Sequence, residues 1–133
     1  MFLDTSFQAD LLRERNCKED GPAVRKIRSL VETNVMISVF TLCELRAGAE
    51  LSDNPNVELD RVAQLVEPLP LVYPDSSFPV LYGEILADLT RAGTPIPLVD
   101  LLLAVLAKRS AVPILTRDAR HFRKIPGLEV ATY

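Results

Sequence analysis

A chain of 133 residues, 48% hydrophobic and 25% charged, can bury one hydrophobic core and is too short for two. This composition excludes a disordered or low-complexity chain, so we expect a single domain over residues 1–133. The formal net charge of −3 lacks the basic excess expected of a nucleic-acid-binding protein.

Neither a membrane segment nor a disulfide framework is indicated. The longest apolar run, Leu101 to Ala107, is much shorter than the roughly 20 residues that a membrane-spanning helix needs. The N-terminus has no basic stretch, long apolar run or cleavage motif of a secretory signal. Cys17 and Cys43 stand in separate segments without a CxxC pair or nearby histidines, so we expect reduced thiols. A cytoplasmic protein with no membrane partner is therefore expected.

Strand and helix patterns alternate along the chain. Short apolar runs predict strands, while apolar residues at helical spacing, bounded by Gly, Pro and capping side chains, predict helices. In chain order we predict a strand at 2–3, helices at 5–15 and 21–33, a strand at 35–39, helices at 40–51 and 57–66, a strand at 69–73, helices at 76–92 and 99–110, and strands at 112–116 and 128–132.

This alternation predicts a mainly parallel sheet, because parallel neighbours need crossover connections. In such sheets, helices cover both faces and a crevice lies beyond the carboxyl ends of the strands. Asp4 and Asp118 directly follow predicted strands, and Glu44 and Asp100 lie in predicted first helical turns. Four separated carboxylates are therefore expected to meet at one edge of the sheet.

Each of these acids also has an ordinary structural explanation. Asp100 stands among apolar residues and fits a capping acid at the start of a helix. Glu44 lies three residues after Thr41, which is the spacing of a capping box. Asp4 and Asp118 both fit helix caps. Taken singly, none of the four establishes a site.

Their joint position favours a metal site. Acids gathered at one edge repel one another and raise one another's pKa unless a divalent cation neutralises them. Oxygen ligands alone suit magnesium or manganese, and magnesium commonly couples to phosphate oxygens. If four of the 18 acidic residues hold a metal, the remaining 14 nearly balance the 15 Lys and Arg residues. The net charge then does not exclude a nucleic-acid substrate.

Four segments, in this order, resemble the motifs of PIN domains. They are Leu3–Ser6, Thr41–Leu45, Ile96–Ala104 and Leu115–Asp118. The closing segment His121–Leu128 resembles VapC-like toxins of type II toxin–antitoxin systems. The resemblance covers the whole chain, and the order and spacing of four motifs are much more specific than any single motif.

The resemblance implies a fold and an activity. The fold is a PIN-like three-layer α/β/α sandwich with a central, mainly parallel sheet of about five strands. The activity is that of a Mg²⁺-dependent endoribonuclease, with Mn²⁺ as the alternative ion, in which a metal-activated water hydrolyses RNA phosphodiester bonds. The implied metal ligands are Asp4, Glu44, Asp100 and Asp118. Thr116 joins them as a catalytic residue, and Thr5 and Ser6 would hydrogen-bond water or the ligands.

The resemblance also implies partners: an RNA substrate, a cognate antitoxin and a second copy of the chain in a homodimer. Arg46 and Arg117 stand near Glu44 and Asp118 in sequence and could contact phosphate or balance the acids. His121 is the only histidine, which excludes cleavage by a histidine pair, and we expect it to cap or pack locally. Two alternatives stay open: a non-catalytic PIN-fold interaction protein and a housekeeping RNA-processing nuclease of the same fold.

Overall fold

The structure, a computed structural model, describes all residues from 1 to 133. It contains five short strands, six α-helices and one turn of 3-10 helix at Phe122–Lys124. In chain order the elements are β1 Phe2–Leu3, α1 Thr5–Asn16, α2 Pro22–Ser29, β2 Ile37–Ser38, α3 Val39–Glu50, α4 Pro55–Val66, β3 Leu71–Val72, α5 Phe78–Arg91, α6 Leu98–Ser110, β4 Ile114–Leu115 and β5 Val130–Ala131. None of the helices has the length and apolar character needed to cross a bilayer.

The strands are all parallel and lie in the order β3-β2-β1-β4-β5. Regular pairing forms a three-stranded sheet, β1-β4-β5, and a two-stranded sheet, β2-β3. A parallel bridge between Phe2 and Met36 joins the two, with the Leu3 amide donating to the Met36 carbonyl at 3.0 Å. The predicted parallel sheet of about five strands is therefore confirmed, although it is continuous only through this bridge.

Alternate residues of the central strands face opposite helical layers. Phe2 and Ile114 pack in a core with α5 and α6, and Leu3 and Leu115 pack in a second core with α1 and α2. All four side chains are fully buried. A parallel sheet needs cover on both faces, and these short apolar strands supply apolar side chains to both. The expected three-layer α/β/α sandwich is confirmed.

Several predicted boundaries are wrong, and hydrogen bonding explains the differences. The strand predicted over 35–39 ends at Ser38, because the buried Ser38 hydroxyl accepts the Thr41 amide at 3.0 Å and starts α3 at Val39. The second helix ends at Ser29 instead of residue 33, since the chain continues in tight turns, such as the one closed by the Thr33 amide on the Leu30 carbonyl. The strands predicted at 69–73, 112–116 and 128–132 are also shorter than predicted, whereas the strand at 2–3 has the predicted bounds.

Candidate metal centre

Parallel pairing brings the ends of β1 and β4 together at one edge of the sheet. Leu3 is paired with Leu115, so Asp4 and Thr116 are the residues that follow on neighbouring strands. The Asp4 amide donates to the Leu115 carbonyl at 3.0 Å, and the Thr116 hydroxyl donates to Asp4 Oδ2 at 2.8 Å. The strand register therefore places Asp4 beside Thr116 at the carboxyl edge of the sheet.

Asp4 combines a capping role with a position in the site. It is the N-cap of α1, where Oδ2 accepts the Ser6 hydroxyl at 2.7 Å and, more weakly, the Ser6 amide at 3.4 Å. The carboxylate is buried, and all of its hydrogen bonds fall on Oδ2. The other oxygen, Oδ1, has no protein partner and is available to a ligand.

Asp100 carries the electrostatic signature of the site. It lies in the first turn of α6, its side chain is 25% exposed, and burial raises its pKa above the ordinary value. A hydrogen bond from His121 at 2.7 Å opposes this shift, while the charges of Asp4 and Asp118 add to it. Asp4 and Asp118 are therefore close enough to repel an ionised Asp100.

Asp118 belongs to the same turn as Thr116. Its amide donates to the Thr116 hydroxyl at 3.2 Å, which ties the turn to the hydrogen bonds around Asp4. Both carboxylate oxygens accept hydrogen bonds from Arg120, and these hold the pKa of Asp118 well below its usual range. The Arg120 side chain is 81% exposed, so it can leave without disturbing the core.

Glu44 reaches the site by a different route from the one predicted. The helix cap belongs to Ser38, so Thr41 lies inside α3 and the capping-box interpretation of Glu44 is wrong. Glu44 lies in the second turn of α3, not the first, and its Oε2 accepts a hydrogen bond from the Thr5 hydroxyl. Thr5 follows Asp4 directly, so this bond brings the α3 acid to the same edge.

The acidic side chains are not arranged as a complete metal coordination site. No group of three or more His, Cys, Asp or Glu side chains is arranged to hold an ion. Arg120 occupies Asp118, whereas Asp4, Asp100 and Glu44 each keep one oxygen without a protein partner. An all-oxygen donor set with uncompensated negative charge fits a hard divalent cation such as Mg²⁺ or Mn²⁺.

Two contacts of this site were not predicted. His121 was expected only to cap or pack, but its Nδ1 lies 2.7 Å from Asp100 Oδ2, across 21 positions of the chain. Arg120 pairs with Asp118 two residues earlier, and only its closeness in sequence hinted at the contact. The two arginines whose role the sequence left open differ: Arg46 is exposed and makes no hydrogen bond or ion pair, while Arg117 is held by Asp10.

Comparisons with known proteins match this chain over most of its length. The PIN-domain family profile matches residues 1–128. The tRNA(fMet)-specific endonuclease VapC of Salmonella typhimurium is 32% identical over 107 residues, which are 80% of this chain and 81% of the relative. The VapBC structure from the same species, solved with bound DNA, superposes with a TM-score of 0.87 at 28% identity, covering 98% of this chain and 96% of that one.

A more distant structure has the same fold. VapBC2 of Rickettsia felis, bound to a fragment of promoter DNA, reaches a TM-score of 0.89 at 22% identity, and the match covers 99% of this chain and 97% of the other. The likeness inferred from the four motifs is thus confirmed over nearly the full length. This chain belongs to the PIN-domain family.

Proposed function

We propose that this chain is a divalent-metal-dependent endoribonuclease and the toxin of a VapBC-like toxin–antitoxin pair. The observation that carries the proposal is the group of three aspartates at the carboxyl edge of a parallel sheet, where burial and the charges of Asp4 and Asp118 raise the pKa of Asp100. Relatives that are 32% and 27% identical to this chain are the tRNA(fMet)-specific endonuclease VapC of Salmonella typhimurium and ribonuclease VapC1 of Haemophilus influenzae. RNA is accordingly the proposed substrate.

In this proposal, Asp4, Asp100, Asp118 and Glu44 hold the ion, with Mg²⁺ preferred and Mn²⁺ as the alternative. Three of these acids offer an oxygen that no protein group occupies, and Asp118 becomes available when Arg120 leaves it. When bound, the ion would supply positive charge for activating a water and for stabilising the leaving oxygen of the phosphodiester.

The remaining polar groups orient the acids. Thr116 and Ser6 both donate to Asp4 Oδ2, and Oδ1 receives no hydrogen bond from the protein. Thr5 fixes one oxygen of Glu44, and His121 fixes one oxygen of Asp100. Such supporting bonds set the direction of a ligand and typically contribute a factor of about 10–100 in metal affinity or activity.

The partner assignment rests on the solved relatives. The VapBC structures of Salmonella typhimurium and of nontypeable Haemophilus influenzae superpose over 98% of this chain, at 28% and 25% identity. Both are structures of VapBC assemblies. We therefore propose a cognate antitoxin for this chain, which would need to be removed before activity is assayed, and a homodimeric toxin.

The proposal is tested by RNA cleavage with protein freed of antitoxin. Total RNA that includes the tRNA pool is incubated with Mg²⁺ or Mn²⁺, with EDTA, and with the Asp100→Asn variant. We expect discrete products only with metal, and a rate loss on the order of 100-fold or more in Asp100→Asn, since even supporting residues cost about 10–100-fold. Asp88→Asn is the matched control, because Asp88 is an exposed acid of α5 that pairs with Arg91.

Folding of each variant is checked by circular dichroism, so that a loss of rate is not a loss of protein. Cleavage that continues in EDTA, or at the wild-type rate in Asp100→Asn, would overturn the metal-site assignment. Absence of cleavage under every metal condition would favour the alternative of a non-catalytic interaction protein.

A further inference from the structure

A second acidic residue of α1, Asp10, is buried outside the candidate metal centre. Both of its carboxylate oxygens accept hydrogen bonds from Arg117 Nη1 at 3.2 Å, and one also accepts the Tyr133 hydroxyl at 2.8 Å. Arg13 forms an ion pair with it at 3.2 Å. Two arginines thus contact one buried carboxylate.

Tyr133 makes this arrangement rigid. Its ring packs edge-on against the fully buried Phe7, with ring centroids 4.8 Å apart. Burial and the hydrogen bond to Asp10 raise the pKa of Tyr133, so the phenol keeps its proton and remains a donor at neutral pH. Asp10 is therefore held in one position by the residue that ends the chain.

Arg117 is anchored at both ends. Its amide donates to the Ser6 hydroxyl at 3.1 Å, and that hydroxyl donates to Asp4 Oδ2 at 2.7 Å, so its backbone is tied to the metal centre. Its guanidinium is tied to Asp10 through Nη1 alone. The side chain is 62% exposed, and its Nε and Nη2 make no hydrogen bond or ion pair with the protein.

The spacing suits a ligand that extends past the metal centre. Asp10 lies six residues beyond Asp4 on α1, which places it about 9 Å further along the helix axis. A nucleic-acid backbone carries a charge every few ångströms, so a strand whose phosphate sits at Asp4 has other phosphates within this distance. The planar guanidinium of arginine presents N–H donors in a geometry that matches phosphate oxygens. A side chain that is already ordered before binding loses less conformational entropy when the ligand binds.

We infer that Arg117 is a phosphate-binding residue that holds the RNA backbone beside the metal centre, and that Asp10 and Tyr133 are the residues that position it. The inference rests on the proposed function, because it takes RNA as the ligand. It adds a contact outside the four acids and assigns a role to an otherwise unexplained buried carboxylate.

The test measures RNA binding in EDTA, where a metal-dependent enzyme cannot cut. A short fluorescein-labelled single-stranded RNA is titrated with wild-type protein, Arg117→Gln, Arg117→Lys and Arg91→Gln, and fluorescence anisotropy is followed over a range of KCl concentrations. Arg91 is the matched control, since it is an exposed arginine that also pairs with an aspartate, Asp88, but lies on α5.

We expect Arg117→Gln to weaken binding about 5-fold at low salt, the scale of one charge-assisted contact. The slope of log K against log salt should become shallower by about 0.7, the value for one phosphate contact on a single strand. Arg117→Lys should keep the slope because it keeps the charge. A merely structural role would not change the slope.

Asp10→Asn tests the positioning role separately. It should keep the slope, because Arg117 stays charged, and should weaken binding because the guanidinium is no longer held. Arg117→Gln that behaves like Arg91→Gln, or wild-type protein that shows no salt-dependent binding, would overturn the inference. The failures are distinguishable: RNA cleavage with an unchanged slope leaves the proposed function standing, whereas a changed slope without any cleavage leaves only the binding role.

Discussion

At the scale of single residues, Asp100 illustrates how a residue of the candidate site can lower the stability of the folded protein. Its carboxylate is largely buried at the start of a helix whose other residues are mostly apolar, and it lies near two further aspartates. Burial raises its pKa, and the charges of Asp4 and Asp118 raise it further despite the hydrogen bond from His121. The ionised form of Asp100 is therefore higher in free energy in the folded protein than in the unfolded chain, relative to its protonated form.

We predict that Asp100→Asn stabilises the metal-free protein at neutral pH. The folded-state pKa of Asp100 lies above its unfolded value, so the ionised form carries a penalty that disappears as the pH falls through the folded pKa. The gain in Tm should be largest near pH 7 and should vanish near the unfolded value of about 4. Thermal melts in EDTA over this pH range measure it, with Asp88→Asn as the control.

A lower Tm for Asp100→Asn at pH 7 would mean that the hydrogen bond with His121 outweighs the burial of charge. That result would also remove the main electrostatic argument for an ion at this position. The expected pattern, a variant more stable and less active, is the usual trade between stability and function.

At the scale of elements, α2 depends on a cap that comes from α1. The buried Glu14 carboxylate accepts the Ala23 amide at 3.2 Å and the Val24 amide at 2.8 Å, at the first turn of α2. Its negative charge also lies at the positive end of the helix dipole. Gly21, the N-cap of α2, makes room for it, because a Cβ at this position would collide with the carboxylate.

Removal of this cap should lower the stability of the folded protein without changing RNA cleavage by the molecules that remain folded. Glu14→Ala leaves two buried amides without a partner, so we expect a loss of about 1–3 kcal/mol in the free energy of unfolding. Gly21→Ala should cost a similar amount because it displaces the same carboxylate. Urea denaturation measures both, and Glu19→Ala, an exposed acid nearby, is the control.

Equal unfolding free energies for Glu14→Ala and Glu19→Ala would show that water replaces the cap at no cost. RNA cleavage per folded molecule should stay at the wild-type level in all three variants. A selective loss of cleavage in Glu14→Ala would instead connect α2 to the site.

The sequence could predict contacts that depend on local strand patterns, but it could not predict contacts that depend on how helices pack. Asp4 and Thr116 meet because strand ends are set by local apolar patterns, and those patterns are readable. The pairing of Glu14 with the start of α2, and of His121 with Asp100, depends on how helices pack, which no local pattern records. The Glu44 capping box failed for a related reason: Thr41 has the right chemistry, but Ser38 stands earlier and takes the cap.

At the scale of the whole molecule, the site joins segments that are far apart in the chain. Asp4 follows β1 at the N-terminus, Glu44 comes from α3, Asp100 begins α6, and Asp118 follows β4. The charges of Asp4, near the start of the sequence, and of Asp118, near its end, both repel an ionised Asp100. A bound cation would replace this repulsion with attraction, so metal binding and folding should be linked.

We therefore predict that Mg²⁺ or Mn²⁺ raises the Tm of the wild-type protein. An ion present at 100 times its dissociation constant stabilises the folded state by about 2.7 kcal/mol, provided that it does not bind the unfolded chain. For a domain of this size, that is a rise of roughly 10 °C. The same ionic strength of KCl controls for screening of surface charges, and Asp100→Asn should show a clearly smaller rise than wild type.

The stabilisation should also depend on pH in a definite direction. Protons compete with the ion for Asp100, whose raised pKa means that it is protonated before Asp118 as the pH falls. The metal-dependent rise in Tm should therefore shrink as the pH falls from 7 through the folded-state pKa of Asp100. An equal rise in wild type and Asp100→Asn, or in MgCl₂ and matched KCl, would mean that the ion acts elsewhere on the surface. The acids at the sheet edge would then need another explanation for their shared position.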